Sequence, residues 1–164
     1  MDNIILIGMP GAGKSTVGVL LAKTLGYAFL DTDLVIQQRE GALLQPLVDS
    51  LGVEAFLDVE ADAICSVECR GTVIAPGGSA VCRERAMSHL RALGRIVYLH
   101  LPLEELERRL SNISTRGIAM APGETLADLF ARRAPLYRNY ADLTVDVGRQ
   151  SLEETVALVL RALR

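Results

Sequence analysis

The sequence predicts an α/β protein in which helices cover both faces of a parallel sheet. Five short apolar runs predict the strands, and amphipathic stretches with helical spacing separate them. No repeat and no low-complexity linker interrupts the 164 residues, a length suited to one domain.

Each element carries its own signal. Residues 3–7 form an apolar run short enough for a buried strand, ended by Gly8. Residues 15–25 place Val17, Leu20, Leu21 and Leu25 on one helix face, and Gly26 stops that helix. Residues 27–30 predict a second strand, closed by Asp31-Thr32-Asp33. A mostly helical block then runs to about Arg70, with interruptions expected near Gly41, Pro46 and Gly52. Residues 72–75 predict a third strand ending at Pro76-Gly77-Gly78; a helix over 80–93 and a fourth strand over 95–101 follow. A helix over 103–110 leads into the polar, glycine-bearing stretch 111–123, whose lack of periodicity predicts a loop. A helix over 125–140, a strand over 143–147 and a helix from Ser151 complete the pattern. Ligands bind at the carboxyl ends of strands in such sheets, so chemistry is expected in the loops after Ile7, Leu30 and Ala75.

Composition narrows the function classes. Half of the chain is apolar and 23% is charged, enough to bury a core and unlike a disordered or fibrous chain. Seventeen basic against twenty acidic residues give a net charge of −3, which argues against a nucleic-acid partner, since that needs clustered positive charge. No apolar run reaches the ~18 residues of a membrane span, and the start lacks the basic flank and cleavage site of a signal peptide. Cys65, Cys69 and Cys82 are an odd, sparse set that suggests reduced thiols, so a cytoplasmic protein without a membrane partner is expected, and a monomer.

The strongest signal is Gly8-Met9-Pro10-Gly11-Ala12-Gly13-Lys14-Ser15, which fits G-x-x-x-x-G-K-[ST] between a predicted strand and a predicted helix. Glycines let the backbone curl so that successive N–H groups point at phosphate oxygens, and the positive end of the helix adds to that field. Lys14 is a point charge for the β- and γ-phosphate oxygens, and the Ser15 hydroxyl is placed for a magnesium ion bridging them. A chance glycine-rich turn is a poor account, because the chain has only two lysines, Lys14 and Lys23, and one occupies the required position. Switch proteins, motors and small-molecule kinases share such a loop. No Asn-Lys-x-Asp guanine reader is present, and a chain of this length leaves no room for force-transmitting insertions, which favours a small kinase.

Asp31 and Asp33 stand two apart at the expected end of the second strand, where extended geometry sends both side chains toward the phosphate loop. One carboxylate could hold magnesium-bound water while the other accepts a hydrogen bond from an attacking hydroxyl. Equally, Asp33 could only cap the next helix while Asp31 ends a strand.

The chain resembles the shikimate kinase family. The resemblance covers nearly its whole length, through Gly11-Ala12-Gly13-Lys14-Ser15-Thr16-Val17-Gly18, Asp31-Thr32-Asp33, the Gly52…Phe56…Glu60 spacing, Pro76-Gly77-Gly78-Ser79-Ala80-Val81 and Arg133-Ala134-Pro135-Leu136-Tyr137. It implies sheet order 2-3-1-4-5, a substrate-binding helical segment at about 33–60 and a lid at about 111–124. It also implies transfer of the γ-phosphoryl group of ATP to a ring hydroxyl of shikimate, with magnesium. By the same resemblance Gly11, Ala12, Gly13, Lys14, Ser15 and Thr16 contact ATP, Arg109 stacks on its adenine and Arg116 is the lid arginine. Ser15 and Asp31 hold the metal. Asp33, Gly77, Gly78, Ser79 and Arg133 bind the acceptor, with Arg133 on its carboxylate. Lys14, Asp33 and Arg116 are the catalytic set.

Three positions depart from the family pattern. Leu57 stands where an arginine shares the carboxylate with the counterpart of Arg133; Ser79 replaces a third glycine; Gly117-Ile118 replaces Pro-Leu after Arg116. Losing one charge-assisted hydrogen bond costs roughly 1.5–3 kcal/mol, and a leucine there predicts an apolar wall suited to a less anionic acceptor. Arg39 or Arg138 could supply the charge instead. Shikimate and a different hydroxylated small molecule both remain open as acceptor, as does an ATP-binding regulatory module without catalysis. In such a module Asp33, Arg116 and Arg133 would be idle. Cys65 and Cys69, one turn apart on an expected helix over 54–68, are read as core packing, and His89 and His100 as structural. Arg83, Arg85, Arg91 and Arg95 are read as a solvated face.

Overall fold

A computed structural model describes residues 2–111 and 118–164. Strands β1 (Asn3–Ile7), β2 (Ala28–Asp31), β3 (Thr72–Ala75), β4 (Gly94–His100) and β5 (Leu143–Asp146) form one sheet in the order β2-β3-β1-β4-β5. Every pairing is parallel, and β1 sits between β3 and β4 with all five of its residues buried. Such strands are apolar on both sides because helices cover both faces. Helices α1 (Lys14–Leu25) and α8 (Leu152–Leu163) pack against one another, while α5 (Glu84–Leu93) and α7 (Leu126–Tyr140) lie against β4. Helix α6 (Leu103–Leu110) leads away from β4. No helix among the described residues is long and apolar enough to cross a membrane.

The helical block after β2 is three helices, α2 (Thr32–Glu40), α3 (Leu44–Leu51) and α4 (Val53–Cys65), broken at Gly41 and Gly52 as the sequence predicts. Pro46 does not interrupt it. It lies in the first turn of α3, where a backbone N–H has no partner within the helix and its loss is harmless. These helices enclose a second apolar core of Ile36, Leu47, Val48, Phe56, Leu57, Ala63 and Ala119, distinct from the core around the sheet.

Two stretches differ from the sequence reading. The expected helix over 80–93 is a 3-10 turn, Ala80–Cys82, then α5, with Arg83 extended between them. Arg83 is drawn toward α4, where its Nε donates to Asp58 at 2.9 Å and its Nη2 to Glu54 at 2.8 Å, while Arg85 pairs with Asp62 at 2.7 Å. The solvated arginine face is therefore in part a clamp between α4 and α5. Helix α4 ends at Cys65, so Cys69 shares no helix with it, and all three cysteines are half-buried free thiols.

Asn3 ties the amino end of the sheet together. It is buried, its Nδ2 donates to the carbonyls of Cys69 (2.8 Å) and Leu93 (3.0 Å), and its Oδ1 accepts from the Thr72 N–H at 3.0 Å. Asn3→Ala strands three backbone groups in the interior, so a loss of about 2–4 kcal/mol is expected in urea unfolding.

Candidate active site

The loop between β1 and α1 is shaped by glycines at φ 84 (Gly11) and φ 88 (Gly13), values that a side chain would strain. Gly13 caps α1, so the leading N–H groups of that helix open onto a pocket of about 340 Å³ at the carboxyl ends of β1, β2 and β3. Pro10, Gly11, Gly13, Lys14, Ser15 and Thr16 form one wall, and Asp31, Asp33, Glu60, the segment Ala75 to Ser79, Ile118, Ala119 and Arg133 the rest. Ala12 is buried beneath the loop. The Lys14 ammonium donates to the carbonyls of Gly8 and Met9 at 2.8 Å each. Burial brings its pKa down to about 8, opposed chiefly by the carboxylate of Asp33.

Asp31 and Asp33 both reach the pocket, by a different geometry from two residues of one strand. Asp31 ends β2 and caps α2, its Oδ1 accepting from the Asp33 N–H at 2.9 Å, while Asp33 lies in the first turn of the helix. The capping aspartate is thus Asp31 rather than Asp33. Its Oδ2 accepts from the Ser15 hydroxyl at 2.9 Å, which joins the phosphate loop to β2. Burial and the neighbouring Asp31 charge push Asp33 up to about 6, against the pull of Lys14. The Ser15 hydroxyl and the Asp31 carboxylate are adjacent hard oxygen donors, a pair that suits a magnesium ion retaining several waters.

The loop after β3 brings the acceptor side together. A Cβ on Gly77 would lie 2.7 Å from Glu60 Oε2 and 3.0 Å from Asp33 Oδ1, so only glycine lets the two carboxylates close over the loop. The Gly78 carbonyl accepts from the Tyr137 hydroxyl at 2.6 Å, and the Gly77 N–H donates to Thr32 Oγ1 at 3.3 Å. Arg133 is 1% exposed; its Nη2 donates to the Ala119 carbonyl at 3.0 Å and its Nε has no partner. A buried guanidinium with a spare donor at a pocket wall suits an anionic group entering that pocket.

Leu57 does not form the expected apolar wall. It is buried in the second core and does not line the pocket, because the buried face of α4 turns Phe56 and Leu57 toward Ile36 and Ala119. Arg39 and Arg138 are exposed and do not line it either, so Lys14 and Arg133 are its cations among the described residues. Arg109 bridges the phosphate loop to the turn before α8. Its Nη1 donates to the Gly11 carbonyl at 3.2 Å and its Nη2 to the Gly148 carbonyl at 3.0 Å, beside a recess lined by Ala12, Gly13, Thr16, Gln150 and Leu152. Arg116 lies outside the described residues.

Glu60 was visible in the sequence only as a spacing residue. The structure buries it in the pocket, 2% exposed, with Ser79 Oγ donating to its Oε1 at 2.6 Å. Burial pushes Glu60 up to about 7; the Ser79 hydrogen bond pulls it down, the Asp33 charge raises it, and Arg133 and Lys14 lower it. A raised folded-state pKa means that the native protein holds this proton after the unfolded chain has released it, so stability falls as pH rises between about 4.5 and 7. Glu60→Gln is therefore expected to raise the melting temperature at pH 8 and to give no such gain near pH 4, as read by calorimetry.

The family model described as "Shikimate kinase" matches residues 10–164. The chain belongs to the shikimate kinase family. The shikimate kinase of Pseudomonas aeruginosa (strain LESB58) is 41% identical to this family member over 100% of the chain and 97% of its own length. Among solved structures, shikimate kinase from Acinetobacter baumannii in complex with shikimate aligns with a TM-score of 0.89 at 31% identity, over 99% of this chain and 93% of that one. The shikimate kinase of Bacteroides thetaiotaomicron aligns with a TM-score of 0.82 at 28% identity, over 99% and 98%. The protein is accordingly a small-molecule kinase, and its sheet has the order that the resemblance implies.

Proposed function

We propose that this kinase transfers the γ-phosphoryl group of ATP to a ring hydroxyl of shikimate. The supporting observation is one pocket whose first wall is the phosphate loop with Lys14 and whose second wall is Asp33 and the buried guanidinium of Arg133. The second wall meets a hydroxyl and a carboxylate, the two groups a hydroxylated acid presents. Leu57 does not line the pocket, so the apolar wall that argued for a less anionic acceptor does not form there.

Phosphoryl transfer needs positioning and charge neutralisation more than covalent help. The loop from Gly11 to Thr16 would hold the phosphates by backbone N–H groups, Lys14 the β- and γ-oxygens, and Arg109 the adenine side. Arg133 pairs with the acceptor carboxylate and fixes the ring, with Gly77, Gly78 and Ser79 beneath it. Asp33 orients the attacking hydroxyl. The oxygen–phosphorus bond forms as the bond to the β-phosphate oxygen breaks, and the hydroxyl proton passes to Asp33 late in the transfer. Ser15 and Asp31 would hold magnesium, which supplies neutralisation of phosphate charge when bound. We assign acceptor binding to the segment 33–60 and lid closure to 111–124, with Arg116 adding positive charge to the closed site and the lid excluding water. The free thiols suit a reducing compartment, and we place the enzyme in the cytoplasm.

The direct test is ADP release with magnesium, ATP and shikimate, with the phosphorylated product identified by phosphorus NMR. Shikimate-dependent ADP formation supports the reading; ATP binding without it, across shikimate and other hydroxy acids, overturns it.

A further inference from the structure

The buried Glu60 carboxylate shares its pocket with four groups from four segments: Lys14 of α1, Asp33 of α2, the Ser79 hydroxyl and Arg133 of α7. Of these, only Ser79 makes a direct hydrogen bond to it among the described residues, at 2.6 Å to Oε1. Its other oxygen, Oε2, and Asp33 Oδ1 both pack against Gly77, where a Cβ would lie 2.7 Å from the first and 3.0 Å from the second. The two carboxylate oxygens are thus close neighbours on one wall of the pocket. Two oxygens so placed match a pair of hydroxyls on neighbouring carbons, one for each carboxylate.

We propose that Ser79 is a positioning residue that sets acceptor specificity: its hydroxyl fixes Glu60 Oε1, so that Oε2 accepts a hydrogen bond from the hydroxyl adjacent to the one held by Asp33. Ser79 is itself buried and its proton is committed to Glu60, so it acts through the carboxylate rather than as a donor to the substrate. The inference rests on the proposed function for the identity of the acceptor, and it adds a requirement for a vicinal diol. A site built to bind a hydroxyl discriminates strongly against an analogue lacking it, because the buried carboxylate is then left without its partner.

The test compares wild type with Ser79→Ala and Ser79→Thr, using shikimate and a deoxy analogue lacking the hydroxyl next to the phosphorylated one. For Ser79→Ala the KM for shikimate is expected to rise about tenfold with kcat within about threefold, and discrimination against the deoxy analogue to fall about tenfold. The acid limb of its kcat/KM profile should move to higher pH, because an ionised Glu60 without the hydroxyl is harder to form. Ser79→Thr, which keeps the hydroxyl, should restore all three. Independently of turnover, the carbon-13 signal of the Glu60 carboxyl, assigned by its loss in Glu60→Gln, should titrate at higher pH in Ser79→Ala than in wild type. Unchanged KM and discrimination in Ser79→Ala, or an unmoved Glu60 titration, overturns the inference. Wild-type protein that does not turn over shikimate overturns the proposed function instead, and the carboxyl titration still decides whether Ser79 holds Glu60.

Discussion

Asp33→Asn is expected to lower kcat for acceptor phosphorylation by about 10²–10⁴-fold, the range for removing a positioned general base. The side chain keeps its size and its place in the first turn of α2, where Asp31 caps the helix by accepting from the backbone N–H of residue 33. That cap survives the substitution. Burial and Asp31 hold Asp33 near 6, close enough to neutrality for a proton to be taken in the transition state and released afterwards. The wild-type rate should fall as pH drops through about 6, and the asparagine variant should lose that limb. ATP affinity, measured by calorimetry, should hold within a few-fold. A variant with near wild-type kcat would remove Asp33 from the mechanism.

Lys14→Met is expected to cost about 10³-fold or more in kcat, the scale for deleting one preorganised charge at the transferring group. Methionine fills the same volume at the base of the phosphate loop without the ammonium. The lost hydrogen bonds run to the carbonyls of two buried residues, Gly8 and Met9. Burial has already brought the Lys14 pKa down to about 8, so its charge is carried at a cost to the fold. Thermal unfolding of the variant should therefore stay close to that of wild type, relief of the buried charge offsetting the two lost hydrogen bonds, while phosphoryl transfer is lost. A variant that keeps both stability and rate would contradict the role given to Lys14.

The proposed nucleotide half of the site was legible because it is contiguous: Gly8 to Thr16 is one loop between one strand and one helix, and its backbone curl is set by residues adjacent in sequence. The strand order followed from resemblance rather than from periodicity, which does not say which strands are neighbours. The acceptor half was less legible because it is assembled from residues far apart in the chain. Glu60 and Ser79 are nineteen positions apart and meet only because α4 and the loop after β3 face the same pocket. Leu57 read as a pocket residue because the resemblance puts an arginine at that position; a leucine there packs into the second core instead. Asp31 and Asp33 both line the pocket, but not as two residues of one strand, since β2 ends at Asp31 and α2 begins at Thr32. Pro46 illustrates the same limit: its effect depends on its place in the helical turn, which residue type does not give.

The small core of Ile36, Leu47, Val48, Phe56, Leu57, Ala63 and Ala119 anchors the helices that carry Asp33 and Glu60, whereas the phosphate loop is rooted in the sheet. The acceptor wall of the cleft therefore has a foundation of its own beside the sheet core, to which α4 also contributes Ala61 and Ile64. A lineage, or an engineer, can repack the lesser foundation and re-aim the acids at a new polyol while the grip on the triphosphate stays as it was.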